Sequence, residues 1–204
     1  MRYMLLCSVM VLASASEANL IVNGSFEQPD VAAFGQYFNG QTIGSGWTAP
    51  NPVAIATIID NSGAGTIWHH TSAGEQALYV GDSLLANYVV QTVQLVAGVT
   101  YDMSYMQAAF DQNGSWTARL GVHVLDSAGM QASQVTDLAA GTGFTAQAFS
   151  FTADETGDHV IKLEAYQGRV AHVDDVKLVE AVPEPGTMTA LALGGAFLAR
   201  RRRR

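Results

Sequence analysis

The sequence predicts an all-β protein, and three observations lead to that fold class. Apolar and polar residues alternate over several runs, which is typical of strands that have one buried face. Clusters of Gly, Asn, Asp and Ser, at residues 60–63, 111–114, 126–129 and 141–143, separate these runs and indicate turns. Residues 19–182 show no helical period of useful length. Nine or ten short strands in one domain predict a two-sheet antiparallel sandwich.

The strands are predicted from alternation, element by element. The clearest pattern is at residues 99–105, where every second residue is Val, Tyr or Met. Similar runs lie at residues 120–124 and 161–165. Further strands are predicted at residues 20–26, 54–59, 76–80, 88–96, 145–152 and 173–179. No repeat with a period of 20–50 residues is visible, so the sequence does not indicate a solenoid or a propeller.

Residues 1–18 have the three-part pattern of a secretory signal peptide. Arg2 gives a basic start, residues 3–13 are apolar, and small residues follow. Ser16 and Ala18 favour cleavage before Asn19, and the alternative is cleavage after the Ala-Ser-Ala at residues 13–15. Export of the protein is therefore expected.

The single cysteine, Cys7, lies within this signal. Leu6 is too large for the cleavage site of a lipoprotein, so lipidation is not predicted. The remaining chain has no cysteine, which excludes disulfides, thiol catalysis and cysteine-based zinc sites.

Residues 183–204 form a second segment with three parts. Pro183, Glu184 and Pro185 come first, and the two prolines keep this tripeptide extended. An uncharged apolar run, residues 186–199, follows and predicts a short membrane-entering helix, although it is shorter than the roughly 20 residues that span a bilayer. Five arginines at residues 200–204 are costly to translocate and would stay in the cytoplasm. The alternative is a soluble amphipathic or core helix with a basic end.

This segment resembles the PEP-CTERM sorting signal of exported bacterial proteins. The resemblance implies that an exosortase, a membrane protease, recognises Pro183, Glu184 and Pro185, and that none of the three is catalytic. It also implies transient membrane anchoring through the apolar run, followed by transfer to the cell envelope, the cell surface or an extracellular matrix. The predicted organisation is a signal peptide at 1–18, one domain at 19–182 and a sorting signal at 183–204.

The central domain is strongly acidic. Residues 19–182 contain four basic and sixteen acidic side chains, a net charge of −12, whereas the whole chain carries −8. Such a surface repels nucleic acid and anionic lipid headgroups and suits neutral ligands or divalent cations. Solubility outside the cell explains the same charge equally well.

The two ends of the domain resemble galactose-binding-like jelly rolls, which include many carbohydrate-binding modules. Residues 19–27 look like the opening strand of that family and residues 171–178 like its closing strand. The resemblance implies a structural calcium ion with carboxylates from Glu27, Asp174 and Asp175, since calcium prefers oxygen ligands. If Val176 faces the core, Asp174 shares its side of the strand. The alternative is that Asp174 caps a turn or accepts backbone hydrogen bonds while Asp175 is solvated.

Sugars bind to aromatic rings that have amide or carboxylate groups nearby. The aromatic candidates outside the predicted core are Trp68, Trp116, Tyr166 and Tyr37, the last with Phe38 beside it, and each of them could instead pack in the core or at its rim. Trp47 is assigned to the core. Adjacent His69 and His70 would point to opposite faces of a strand and are not predicted to bind a metal.

The sequence contains none of the common catalytic or nucleotide-binding motifs, and no carboxylate pair is marked by its setting. It therefore predicts a non-enzymatic, exported module that binds polysaccharide or associates with a matrix. The alternatives are a structural or adhesive matrix protein without a defined ligand and a cryptic glycoside hydrolase.

Overall fold

The computed structural model describes residues 18–32, 34–51, 56–60, 72–82, 86–109, 117–166 and 169–182. Within these ranges the chain forms twelve strands and no helix: β1 Phe34–Tyr37, β2 Gln41–Ile43, β3 Trp47–Ala49, β4 Ala56–Asp60, β5 Gln76–Asp82, β6 Asn87–Leu95, β7 Thr100–Ala109, β8 Ala118–Asp126, β9 Gly129–Leu138, β10 Thr145–Thr152, β11 Gly157–Ala165 and β12 Arg169–Glu180. The predicted all-β class is confirmed. The signal peptide and the C-terminal helix fall outside the described residues, and the described part holds no helix that could cross a bilayer.

The strands form two six-stranded sheets. Sheet A has the order β1-β4-β5-β12-β7-β10, and sheet B has the order β2-β3-β6-β11-β8-β9. Every strand pair is antiparallel. The predicted two-sheet antiparallel sandwich is therefore confirmed. Strand β12, which comes last in the chain, lies in the interior of sheet A between β5 and β7.

Alternate residues of each sheet fill the core, as the periodicity predicts. In β7, Tyr101, Met103 and Tyr105 are buried, and the inner positions of β8 and β11 are equally buried. Trp47 is fully buried as expected, with its ring centroid 5.7 Å from that of Phe26. Truncating such a core aromatic costs about 3–5 kcal/mol. These two rings therefore fix the start of the domain onto sheet B.

The predicted strand at residues 20–26 is wrong, because this segment is a turn. Asn23 and Phe26 both have positive φ angles, 53° and 55°, and the Asn-Gly sequence at residues 23–24 favours such turns. The segment still contacts the last strand, since Leu20 N donates to Leu178 O over 2.8 Å and Val176 N donates to Gly24 O over 2.9 Å. The two ends of the domain are thus joined without a paired strand.

The sequence also missed strands β1, β2, β3 and β9. The first three have only three or four residues each, which is too short for a period to show. Strand β9 lies at the edge of sheet B, and its mostly polar sequence, GMQASQVTDL, is half exposed. Strand β10, in contrast, spans residues 145–152 as predicted.

A β-bulge in β12 reverses the predicted side of Asp174. The pairing with β7 shifts between Asp174 and Lys177, and Asp175 has a φ angle of 50°. Asp174 pairs with Met106 on the outer side of sheet A, while Val176 lies in the core. The extra residue breaks the strict two-residue period, so Asp174 and Val176 point to opposite sides. Asp174 is nevertheless fully buried, because another segment covers this side of the sheet.

Candidate ligand-binding sites

The turn between β1 and β2 borders a shallow, open depression of about 400 Å³. Gln36, Tyr37, Gly40, Gln41 and Thr42 line it. Strand β1 is the edge of sheet A and β2 is the edge of sheet B, so the depression lies where the two sheets meet. The turn depends on positive φ angles at residues 39 and 40, 54° and 82°.

Tyr37 gives the depression its aromatic wall. A Cβ at position 35 would lie 2.9 Å from the Tyr37 hydroxyl, so Gly35 leaves room for the ring beside the strand. The ring also packs against the core. Burial raises the pKa of Tyr37, so its hydroxyl stays protonated and can donate a hydrogen bond at neutral pH.

The other groups in the depression are uncharged and polar. Phe38 N donates to Gln41 Oε1 over 3.1 Å, which orients that amide. Gln36 and Thr42 add a second amide and a hydroxyl. Two exposed phenyl rings lie close by on the chain, Phe34 at 63% and Phe38 at 40% relative exposure. An aromatic wall with amides and hydroxyls is chemically suited to a neutral, hydroxyl-rich ligand.

Tyr166 lies elsewhere, beyond the end of β11 beside the outer face of sheet B. The guanidinium carbon of Arg119 is 5.0 Å from the centre of its ring. Tyr88, which the sequence did not single out, lies on the same face, with Lys162 Nζ 4.4 Å from its ring centre. Both rings therefore already hold a cation on one side, an interaction worth roughly 0.5–2 kcal/mol.

A buried histidine lies on the same face of sheet B. His123 is 3% exposed although it belongs to the outer face of β8. Its Nδ1 is 2.8 Å from Ser133 Oγ, and its Nε2 is 3.2 Å from Glu164 Oε2, which also binds Lys162 Nζ at 2.9 Å. Burial lowers the pKa of His123 and Lys162 adds to this, while Glu164 raises it. Because the net shift is downward, His123 is neutral at pH 7.

Trp68 and Trp116 fall outside the described residues, as do His69, His70 and the sorting tripeptide Pro183, Glu184 and Pro185. Of the four aromatic candidates, the structure thus places Tyr37 and Tyr166, and it puts them on different surfaces. Gln36 and Gln41 were not predicted. They flank the Asn39-Gly40 turn next to aromatic residues, which was the available signal.

The carboxylates assigned to calcium occupy two sides of one segment, residues 72–76. Asp174 Oδ2 accepts from Ser72 N, Ser72 Oγ and Ala73 N over 2.7–3.1 Å, and its Oδ1 accepts from Asp175 N. Burial raises the pKa of Asp174, and these hydrogen bonds oppose that shift. The four bonds use the acceptor positions that a cation would need. They correspond to the alternative of a hydrogen-bonded Asp174.

Glu27 holds the other end of the segment. Its Oε1 accepts from Glu75 N and Gln76 N, each over 3.0 Å. Asp175 is half exposed and pairs with Lys177 Nζ at 2.8 Å. The groups around Glu27 and Asp174 are N–H and O–H donors, whereas calcium needs oxygen ligands. They fit better with two carboxylates that hold residues 72–76 by hydrogen bonds, an arrangement called the clasp below. Calcium at this position stays a prediction.

Comparison with known protein families assigns two parts of the chain. A family model described as "Protein of unknown function (DUF642)" matches residues 19–170. A second one, described as "PEP-CTERM protein-sorting motif", matches residues 181–204 and confirms the predicted sorting signal. Among curated proteins, none matches this chain.

Solved structures with a similar fold include several carbohydrate-binding modules. A "Family 16 Carbohydrate Binding Module-2" is 17% identical with a TM-score of 0.50, covering 79% of this chain and 100% of its own. TmCBM61 in complex with beta-1,4-galactotriose is 16% identical with a TM-score of 0.50, covering 80% and 99%. The enzymatically active domain of tailspike protein 4 from Bacteriophage CBA120 is 14% identical with a TM-score of 0.51, covering 80% and 21%. At these identities the likeness shows the sandwich fold alone.

Proposed function

The chain belongs to the DUF642 family and carries a PEP-CTERM sorting motif, and on that premise we propose that it is an exported envelope protein whose sandwich binds a neutral polysaccharide. The observation that carries the proposal is the depression at Tyr37, where one aromatic ring, two amides and a hydroxyl converge. The similar fold of modules such as TmCBM61, solved with beta-1,4-galactotriose, supports it by analogy.

Charge favours a neutral glycan over an anionic one. The domain at residues 19–182 carries −12, and the described lining of the depression contains no basic side chain to offset this field. An acidic polysaccharide would therefore be repelled on approach. Amide groups such as Gln36 and Gln41 both donate and accept hydrogen bonds, which matches the hydroxyls of an uncharged sugar.

The Tyr37 depression is a better candidate than the outer face of sheet B. On that face Arg119 and Lys162 already cover one side of the two tyrosine rings, and a sugar would compete with them. The described lining of the Tyr37 depression holds no such cation. It also holds no carboxylate, whereas glycoside hydrolysis needs two, so we infer a binding role without catalysis.

The sorting motif supports processing by an exosortase near Pro183–Pro185. Strand β12 ends at Glu180, only three residues before that tripeptide. The folded domain can therefore be complete before the protease acts, and the cleavage point lies just outside it. The destination that we propose is the cell envelope or surface.

Binding can be tested with the full chain, purified in mild detergent, against soluble neutral galactan, xylan and glucan and one anionic polysaccharide. We expect slowed migration in gels that contain one neutral glycan, followed by a measured Kd in calorimetry. Tyr37→Ala is expected to weaken this Kd at least tenfold, about 1.4 kcal/mol. Tyr166→Ala, an aromatic truncation on the other surface, is the matched control and should leave it unchanged.

The converse result, loss with Tyr166→Ala and none with Tyr37→Ala, would move the site to the outer face of sheet B. Failure of every neutral glycan to bind would overturn the proposal. In that case a structural or adhesive role without a defined ligand would be the better account.

A further inference from the structure

A group of three potential metal ligands lies at one end of the sandwich, away from the Tyr37 depression. Asp126 ends β8, Glu155 belongs to the loop between β10 and β11, and His159 is near the start of β11. One ligand atom from each lies within 4.8 Å of the other two. The register explains two of them, since Leu125 pairs with Val160 and the next residues along, Asp126 and His159, face each other across the strands.

His159 is the main evidence for a metal site, because it is fully buried and one of its two ring nitrogens has no hydrogen-bond partner in the described part of the chain. Its Nδ1 is 3.1 Å from Gly157 O, and a carbonyl can only accept, so Nδ1 carries the hydrogen. The neutral ring therefore has its lone pair on Nε2. That atom is buried without a hydrogen-bond partner in the described part of the chain. A buried polar atom without a hydrogen-bond partner costs free energy. Histidine binds metals in the same form, with a lone pair on one ring nitrogen while the other donates its hydrogen to an acceptor such as a carbonyl.

The two carboxylates are held in place by the turn between β8 and β9. Asp126 Oδ1 accepts from Ala128 N and Gly129 N over 2.8 and 2.9 Å. Glu155 accepts from Ser127 N and Ser127 Oγ, each over 2.9 Å. Turn capping accounts for these bonds but not for the unpartnered Nε2 of the buried His159, whose ring groups with both carboxylates. Both carboxylates are half exposed, so an ion from solvent can reach them.

We propose that Asp126, Glu155 and His159 bind a divalent transition-metal ion, with Zn²⁺ as the best fit. Calcium and magnesium prefer oxygen ligands, whereas an imidazole nitrogen with carboxylates suits zinc and its neighbours in the series. Three protein ligands and one water complete a tetrahedral zinc shell. The ion would join the β8–β9 turn to the β10–β11 loop and stabilise that end of the sandwich. This site is independent of the calcium prediction at Glu27 and of sugar binding at Tyr37.

The test is metal binding by the full chain after chelator treatment, with Zn²⁺ measured by calorimetry and Co²⁺ by visible absorption. One ion per chain is expected, together with a rise in Tm. Glu155→Gln keeps the side-chain size in a half-exposed loop and should weaken Zn²⁺ binding at least about tenfold. Asp154→Asn, which removes the same charge one residue earlier at an exposed position, is the control and should bind as the unchanged protein does.

His159→Gln should abolish the cobalt spectrum, and its far-ultraviolet circular dichroism will show whether it has folded. Histidines elsewhere, such as His69 and His70, could bind zinc independently, and binding that Glu155→Gln leaves intact would reveal this. The proposal is overturned if no ion binds, or if the Kd is the same in Glu155→Gln and in Asp154→Asn.

Discussion

His123 belongs to the outer face of a sheet, yet it is as inaccessible as a core residue. Its ring lies between Ser133 and Glu164, and its Nε2 and Cε1 fill the space that a side chain at Gly121 would need, 2.4 and 2.8 Å from an ideal Cβ. Glycine is therefore needed at position 121 to leave room for the His123 ring, and not to form a turn. A small residue on one strand makes room for a large polar one two positions along.

This arrangement predicts loss of stability in mild acid. The pKa of His123 lies below its ordinary 6.5 in the folded protein, so the unfolded chain binds the proton more readily. Stability should fall as the pH falls through 6.5 towards the lower folded value. Urea unfolding over about pH 5 to 8 will measure this, and His123→Gln should flatten the profile over that interval. An identical slope in both proteins would contradict the assignment to His123.

The sequence predicted which residues are buried better than it predicted the surroundings of individual side chains. The buried faces of β7, β8 and β11 follow from alternation, and Trp47 is in the core as expected. Asp174 was placed on the wrong side because no sequence signal announces the bulge at Asp175. Tyr37 was predicted as a ligand-binding aromatic. The amides beside it were not predicted: Gln36 precedes it in β1, and Gln41 comes from β2 of the other sheet, two strands too short to show a period.

At the scale of the elements, the segment at residues 72–76 is held by hydrogen bonds from its backbone to two carboxylates. It lies between Glu27 and Asp174, which come from opposite ends of the domain and accept hydrogen bonds from its backbone. Gly74 has a φ angle of 71°, and a Cβ there would be 2.2 Å from Glu27 Oε1, so a larger residue would be strained and would displace that carboxylate. The segment thereby joins the first and last parts of the domain to β5.

Asp174→Ala should destabilise the protein by about 1–3 kcal/mol, because it leaves the part-buried N–H groups of Ser72, Ala73 and Asp175 without this acceptor. Asp175→Asn, at the neighbouring residue, removes a half-exposed pair with Lys177 but still tolerates the φ angle of 50°, and should cost under about 1 kcal/mol. Chemical denaturation of both variants measures the difference, and equal losses would argue against the clasp.

The same two variants separate the clasp from the predicted calcium ion. A calcium-bound protein would gain Tm on addition of calcium and lose it with chelator, and Asp174→Ala would remove that response. If Asp174 only accepts hydrogen bonds, Asp174→Ala lowers the Tm by the same amount with and without calcium. Thermal unfolding in the two conditions therefore decides between the sequence prediction and its alternative.

The short strands that could not be predicted from the sequence were missed for one physical reason. Strands β1, β2 and β3 are held by pairing with neighbours and by the two-sheet junction, and their three or four residues carry no period of their own. The opposite error, a strand expected at residues 20–26, arose because Leu20, Ile21 and Val22 favour extended structure. The Asn-Gly turn that follows, and the burial of Phe26 beside Trp47, override that preference.

At the scale of the whole molecule, the sorting motif separates two regions of opposite charge. The domain carries −12, and residues 200–204 carry five positive charges. Proteolysis near the tripeptide would remove the five arginines and leave a product with a strongly negative net charge. That product would have no electrostatic attraction to anionic lipid headgroups, which is consistent with release from the membrane surface.

Replacing Pro183 and Pro185 together by Ala should block this processing in a host that has an exosortase. The expected result is accumulation of a membrane-associated, uncleaved chain, detected by immunoblot of cell fractions and by intact mass. Glu180→Ala, which alters an exposed acid just before the motif, should be processed normally. Normal processing of the double variant would show that the tripeptide is not the recognition element.

The position of β12 has a mechanical consequence. This strand leads directly to the sorting tripeptide, and it is paired with β7 through residues 171–174 and 177–180 and with β5 through residues 169–173. A pull on a chain tethered at that end acts along β12, perpendicular to its hydrogen bonds, so both ladders resist together in shear and do not open one bond at a time. Force applied at that end would thus be carried by β12 in the interior of sheet A, between β5 and β7.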